Sequence, residues 1–112
     1  MLKLNVHHLE DISLMLKALA DLTRLKIMQV LHEKERCVGD IVKAVGTGQA
    51  NISKHLQLLT IAHLVKSRRE GMTIHYSLAG PFVENLCESI CKGYSTIFSK
   101  KYGVVNKKSR KP

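Results

Sequence analysis

The stretch Gly48-Gln-Ala-Asn-Ile-Ser-Lys-His-Leu-Gln57 governs the interpretation of the whole chain. Ile52, Leu56 and Leu59 recur at helical spacing, so they predict a helix with one apolar stripe. The remaining side chains carry amides, a hydroxyl, an imidazole and a cation: Gln49, Asn51, Ser53, Lys54, His55 and Gln57. Asn and Gln can form two hydrogen bonds with the edge of adenine, and Lys binds guanine or phosphate. The stretch is therefore typical of a helix that reads base edges in a major groove.

The charge pattern also favours nucleic acid as a partner. No acidic residue occurs from Ile41 to Arg69, although that segment carries several cations: Lys43, Lys54, Lys66, Arg68 and Arg69. The chain of 112 residues has a net charge of +9, but part of this excess lies after residue 99. Because there is no Trp and few other aromatic residues, stacking platforms for single strands are disfavoured. Double-stranded DNA is the expected partner.

The helix predicted from this stretch is called the reading helix below. The residues around it predict a helix-turn-helix. Apolar spacing indicates a first helix from about Val6 to Ala20 and a second one capped by Asp21 or Thr23. Cys37 to Val45 reads as a short third helix, and Gly46-Thr47-Gly48 as the turn into the reading helix. Two short helices joined by a glycine-containing turn form this motif.

The pattern then changes from helical to alternating. Residues 65 to 78 alternate around a turn at Glu70-Gly71-Met72, which predicts a β-hairpin whose basic residues are Lys66, Arg68 and Arg69. A hairpin at this place is a wing, and its cations should bind phosphate. Gly80-Pro81 opens a last helix that is expected to end near Ser99. Its apolar stripe, from Phe82 to Phe98, is too wide for a small domain, so part of it should face another chain.

These elements predict a mainly α-helical protein of about five helices with a small β-hairpin. We expect one winged helix-turn-helix domain for DNA binding and dimerisation, residues 1–99, followed by a basic and flexible tail, residues 100–112. No apolar run is long enough to cross a bilayer and no signal peptide is evident, so a cytoplasmic protein without membrane contact is expected. An enzyme is disfavoured, because the chain lacks a phosphate loop, a Cys-x-x-Cys pair and a nucleophile with an evident base.

Five short motifs resemble those of the ArsR/SmtB winged-helix repressors. They are Leu19–Ile27, Val38-Gly-Asp-Ile41, Gln49–Leu56, Leu64–Gly71 and Tyr76-Ser-Leu78, in the order and spacing of that family. The resemblance implies a homodimer formed mainly by the first and last helices, which binds a near-palindromic operator and leaves it when an inducer binds. His63 stands where a Gly would end the reading helix, so this residue is expected in a left-handed conformation.

The inducer is not settled by the resemblance. Arsenic- and cadmium-sensing members carry Cys-Val-Cys-Asp where this chain has Cys37-Val-Gly-Asp40, and the Asp/His ligands of the zinc sensors are missing from residues 81–99. Cys87 and Cys91 share one face of the last helix, and with Cys37 they are candidate ligands of a soft metal or metalloid ion, or targets of a redox or reactive-sulfur inducer. They could equally be buried packing residues. A regulator without metal or thiol sensing and a nonspecific architectural or RNA-binding protein are the alternatives.

Overall fold

The structure is a computed structural model that describes residues 3–102, with side chains described for residues 3–99. Its helices are α1 (Val6–Leu19), α2 (Leu22–Glu33), α3 (Val38–Val45), α4 (Gln49–Ile61) and α5 (Pro81–Tyr102). Its strands are β1 (Arg36–Cys37), β2 (Val65–Glu70) and β3 (Thr73–Leu78). The chain divides into two compact units, of which the first ends at Ala79 and the second begins at Gly80. None of the helices described here is long and apolar enough to cross a membrane.

The first two helices begin at side-chain caps. Asn5 Oδ1 accepts the His8 backbone N–H at 3.0 Å, and His8 Nδ1 accepts the Asn5 N–H at 3.1 Å. This reciprocal pair is a capping box in which an imidazole takes the place of the usual Glu or Gln. At α2 the cap is Asp21, one of the two predicted residues, whose Oδ2 accepts the Arg24 N–H at 3.0 Å. Each cap satisfies backbone donors that a helix start leaves without a partner.

The core of the first unit lies between α2, α3, α4 and the start of β2. Its most deeply buried side chains are Ile27, Ile41, Ile52, Leu56, Leu59 and Leu64. Three of them, from α4, are the apolar stripe that the sequence predicts, so that orientation of the helix is confirmed. The first helix predicted from apolar spacing is present as α1, on which Leu19 is buried in the single chain while Leu9, Ile12 and Leu16 are exposed.

The end of α4 explains why a His can stand where the family usually has Gly. His63 has φ +63°, its N–H bonds the carbonyl of Thr60, and the Leu64 N–H bonds the carbonyl of Leu59, both at 3.0 Å. These two bonds are the Schellman motif, and the burial of both Leu59 and Leu64 supplies its usual apolar contact. The left-handed conformation expected for His63 is therefore confirmed. It turns the chain directly into the wing.

The wing is a tight hairpin that gains a third strand. Glu70 pairs with Thr73, so only Gly71 and Met72 form the turn, and Gly71 at φ +63° suits the first central position of a type II′ turn. The third strand, β1, pairs Arg36 with Tyr76 and Cys37 with His75. This strand was not predicted, since two residues are too few to show an alternating pattern. Cys37 is thus the last residue of a strand as well as the N-cap of α3, where its side chain forms no capping bond.

The second unit consists of α5. Pro81 occupies its first position, as predicted, and the helix continues to Tyr102, past the expected end at Ser99. Several large apolar side chains of this helix are exposed: Phe82, Ile90, Ile97 and Phe98. The rings of Tyr94 and Phe98 stack with their centroids 5.1 Å apart. The rest of the expected basic tail, residues 103–112, lies outside the described residues.

Candidate nucleic-acid interface

Two glycines set the direction in which α4 leaves the turn. Gly46 ends α3 in the left-handed region, at φ +87°, and its N–H bonds the Val42 carbonyl at 2.9 Å. Gly48 then precedes α4 as its N-cap in an extended conformation, and no side chain caps the helix there. The first turn of α4 therefore presents unbonded N–H groups and the positive end of the helix dipole, which attract phosphate.

The outward face of α4 is polar and exposed. Five of the six α4 side chains predicted to bind DNA are solvent-exposed: Gln49, Asn51, Ser53, Lys54 and Gln57. Asn51 is held in place, because its Nδ2 donates a hydrogen bond to Thr47 Oγ1 at 3.2 Å. That bond leaves the Asn51 carbonyl oxygen and the second amide hydrogen for a base edge. Thr47 was not predicted as part of the site.

His55 is placed differently from the other residues predicted on this face. It is half-buried, and its Nδ1 lies 3.1 Å from Arg24 Nη1. A guanidinium only donates, so Nδ1 is the acceptor and the ring proton is carried by Nε2. The Arg24 Nε also donates to the carbonyl of Ala18, so this guanidinium connects the end of α1 with α4. No local pattern marked Arg24 as part of the site.

The three wing cations differ in their surroundings. Arg69 and Lys66 are exposed, and neither forms a hydrogen bond or ion pair among the described residues. Arg68 instead donates hydrogen bonds to Glu35 from two nitrogens, at 3.0 Å from Nε to Oε2 and 2.7 Å from Nη2 to Oε1. This hydrogen-bonded fork is the main reason that the pKa of Glu35 is lowered, and it raises the pKa of Arg68. Of the three cations predicted to bind phosphate, Arg68 is therefore the one that a carboxylate already pairs with among the described residues.

The cysteines are divided between the two units. Cys37 is half-buried in the first unit, whereas Cys87 and Cys91 are half-buried on α5 in the second. Burial raises the pKa of the Cys87 thiol, and the neighbouring Cys91 and Glu84 raise it further. Within the part of the chain that the structure describes, no three His, Cys, Asp or Glu side chains group as they would around a metal ion. A site that unites all three thiols stays a prediction.

Comparisons with known proteins agree with this arrangement. The family profile described as bacterial regulatory protein, arsR family, matches residues 21–67. A cadmium resistance transcriptional regulatory protein CadC homolog from Staphylococcus aureus is 40% identical over 79 residues, which are 70% of this chain and 65% of that protein. The HTH-type transcriptional regulator Rv0081 of Mycobacterium tuberculosis is 32% identical over 90 residues, covering 80% of this chain and 79% of its own.

A solved structure has the same fold. The homodimeric winged helix-turn-helix DNA-binding domain of Mb0332 from Mycobacterium bovis, described as a possible ArsR-family transcriptional regulator, superimposes with a TM-score of 0.82. It is 29% identical in sequence, and the match covers 94% of this chain and 100% of that one. The first curated relatives are longer, since the chain spans between 54% and 65% of their length. The winged helix-turn-helix fold predicted from the sequence is confirmed.

Proposed function

The chain belongs to the ArsR/SmtB family of winged-helix regulatory proteins, and on that premise we propose that it is a dimeric, sequence-specific repressor of transcription. The observation that carries this proposal is the outward face of α4. The buried apolar stripe of α4 holds the helix in the core, and five exposed side chains outside that stripe are able to bind base edges or phosphate: Gln49, Asn51, Ser53, Lys54 and Gln57. A protein that only neutralised phosphate would need cations there, and not amides.

In this proposal α4 reads the bases, and both α4 and the wing bind phosphate. Asn51, oriented by Thr47, donates to and accepts from a base edge, while Lys54 binds guanine or a phosphate. The exposed wing residues Lys66 and Arg69 bind the backbone beside that groove. His55 approaches phosphate through Nε2–H, because Arg24 occupies Nδ1. The wing thus contributes affinity, whereas α4 contributes specificity together with part of the affinity.

A second copy of the chain is part of the proposed function. The exposed apolar residues of α1 and α5 are candidates for the interface, and homodimerisation is described for the domain of Mb0332. Two copies related by a twofold axis would place their reading helices in successive major grooves, about 34 Å apart. The expected target is therefore a near-palindromic duplex operator.

Base reading is tested by comparing Asn51→Ala with Gln29→Ala, which removes an exposed amide from α2. An operator is first obtained by selection from random duplexes, and affinities are then measured on it and on a mixed-sequence duplex of equal length. Asn51→Ala should cost roughly 1–3 kcal/mol on the operator and little on the mixed duplex. Gln29→Ala should change neither. Equal losses on both duplexes would favour the nonspecific architectural or RNA-binding alternative.

We further propose that a soft metal or metalloid ion, or a thiol-reactive compound, releases the protein through Cys87 and Cys91. The i, i+4 spacing places both thiols on one face of α5, and a relative is named for cadmium resistance. Since the pKa of Cys87 is raised, a bound metal must displace a thiol proton, and metal affinity should rise with pH. Cys37 is a candidate third group.

The inducer proposal is tested with Cys87→Ser, Cys91→Ser protein bound to the selected operator. Cadmium, arsenite and a persulfide donor should each be titrated against the parent, this double variant and a Cys37→Ser variant that tests the third thiol. If the double variant is released as readily as the parent, the two thiols are packing residues. The protein would then be an ArsR-like regulator without sensing at these positions.

A further inference from the structure

Arg68 on the wing is bound to a residue far from it in sequence. Its guanidinium meets both oxygens of Glu35, which lies between α2 and β1, at distances of 2.7 to 3.1 Å. A second carboxylate is near, since Glu70 Oε2 lies 3.6 Å from Arg68 Nη1. The other oxygen of Glu70 lies 3.6 Å from Nε2 of His75, the cross-strand neighbour of Arg68. The fork therefore joins the wing to the loop between α2 and β1.

This arrangement leaves Arg68 poorly suited to bind DNA. Two carboxylates flank the guanidinium of Arg68, so its positive charge is already balanced by protein groups, while Lys66 also acts on Glu35. The planar fork of arginine binds a carboxylate and a phosphate with the same geometry, which means that a phosphate would have to displace Glu35. The displaced carboxylate would then lie beside the DNA backbone without a partner. Like charges brought together in this way weaken association.

The neighbouring Arg69 has different surroundings. It is exposed, it points to the other face of the strand, and its cross-strand neighbour is the apolar Ile74. No acidic side chain pairs with it among the described residues. Two arginines adjacent in sequence thus occupy opposite electrostatic environments, which makes Arg69 a matched control for Arg68.

We propose that Arg68 is a positioning residue that neutralises Glu35 and holds the wing in place, and that Arg69, not Arg68, binds phosphate. The inference rests on the proposed DNA-binding function and assigns opposite roles to the two arginines. Glu35 also becomes a determinant of DNA affinity, because a carboxylate that is not neutralised would repel the backbone.

The test is a double-mutant cycle on a mixed-sequence duplex of about 30 base pairs, long enough for two successive major grooves. Arg68→Gln is measured by fluorescence anisotropy in the parent and in a Glu35→Gln background, across a series of salt concentrations. Arg68→Gln should weaken binding about tenfold in the parent, where it exposes Glu35, and less than about twofold in the Glu35→Gln background. Arg69→Gln should cost the same in both backgrounds and lower the salt slope by about 1.8, because a dimer loses two phosphate contacts.

A phosphate-binding Arg68 would give the opposite sign. Removing Glu35 would then free the guanidinium for DNA, so Arg68→Gln would cost more in the Glu35→Gln background than in the parent. An equal cost in both backgrounds would likewise overturn the proposal. The sign of the coupling between residues 35 and 68 therefore separates the two roles.

A variant with the two charges exchanged controls for loss of binding that is caused by misfolding alone. The Glu35→Arg, Arg68→Glu protein keeps an ion pair at the same place, and it should bind the duplex within about threefold of the parent. Thermal unfolding of every variant is recorded beside the binding curve. A folded exchange variant that binds as weakly as Arg68→Gln, or more weakly, would overturn the proposal. If the folded parent binds no duplex at all, the proposed DNA-binding function fails as well. If Arg69→Gln weakens binding equally in both backgrounds as expected, while Arg68→Gln does not follow its prediction, only the role proposed for Arg68 is wrong.

Discussion

Replacing Arg24 by methionine should destabilise the first unit and weaken operator binding, although the side chain lies outside the predicted DNA-binding face. Its Nε donates to the carbonyl of Ala18 at the end of α1, and its Nη1 donates to His55 Nδ1 on α4. A third approach, from Nη2 to the Lys17 carbonyl at 3.4 Å, is too long to contribute much. Methionine has a similar length and keeps the apolar packing of the arginine stem while removing every donor.

The size of the effect follows from the two good hydrogen bonds. Bonds to a charged donor contribute about 1.5–3 kcal/mol each, and partial exposure reduces this to about 1 kcal/mol for each bond of Arg24. The free energy of unfolding should fall by about 2 kcal/mol, which corresponds to a Tm lower by roughly 10 °C for a domain of this size. Since one bond ends on α4, the reading helix should lose part of its fixed orientation. Operator affinity should therefore fall more than affinity for mixed-sequence DNA.

The assay is thermal unfolding at one fixed protein concentration, because dimerisation makes Tm depend on concentration. Lys26→Met is the matched control, since Lys26 is an exposed cation on the same helix and forms no hydrogen bond or ion pair among the described residues. It should change stability by no more than about 0.5 kcal/mol. If Arg24→Met is no more destabilising than Lys26→Met, the guanidinium does not connect α1 to α4 in solution.

Two further predictions concern the interface and the helix cap. Ile90→Glu, on the exposed apolar face of α5, should give a monomer by sedimentation with little operator affinity, because a carboxylate would be buried between copies; a dimer as stable as that of the adjacent Ser89→Glu control would contradict this interface. Asp21→Asn should reduce the loss of unfolding free energy that occurs when the pH is lowered into the acid range. The pKa of Asp21 is lowered, first by the Arg24 backbone N–H, so its contribution is complete above the ordinary carboxyl range and is lost as pH falls through the lower folded-state pKa. Asn keeps the cap without titrating, and equal losses of urea midpoint between pH 7 and about pH 3 in both proteins would exclude that role.

Features that depend on local periodicity could be predicted from the sequence. The stripe of Ile52, Leu56 and Leu59 repeats within one helix, and all three side chains are buried. The turn at Gly71 was predictable because a two-residue hairpin loop requires a positive φ there, which Gly tolerates without strain. The outward face of α4 followed from the same period, because residues that avoid the apolar stripe must point away from the core.

Features that depend on contacts between distant residues came only from the tertiary structure. Arg68 and Glu35 are 33 positions apart, and Arg24 and His55 are 31 apart, so no window of sequence contains either pair. The strand β1 exists because β3 passes beside Arg36 and Cys37, and two residues carry no pattern of their own. A sequence shows that a side chain is a cation, but the fold determines whether a carboxylate is already paired with that cation. For this reason Arg68 and Arg69, which are the same residue type at adjacent positions, have different neighbours: Glu35 and Glu70 pair with Arg68, whereas Ile74 lies across the strand from Arg69.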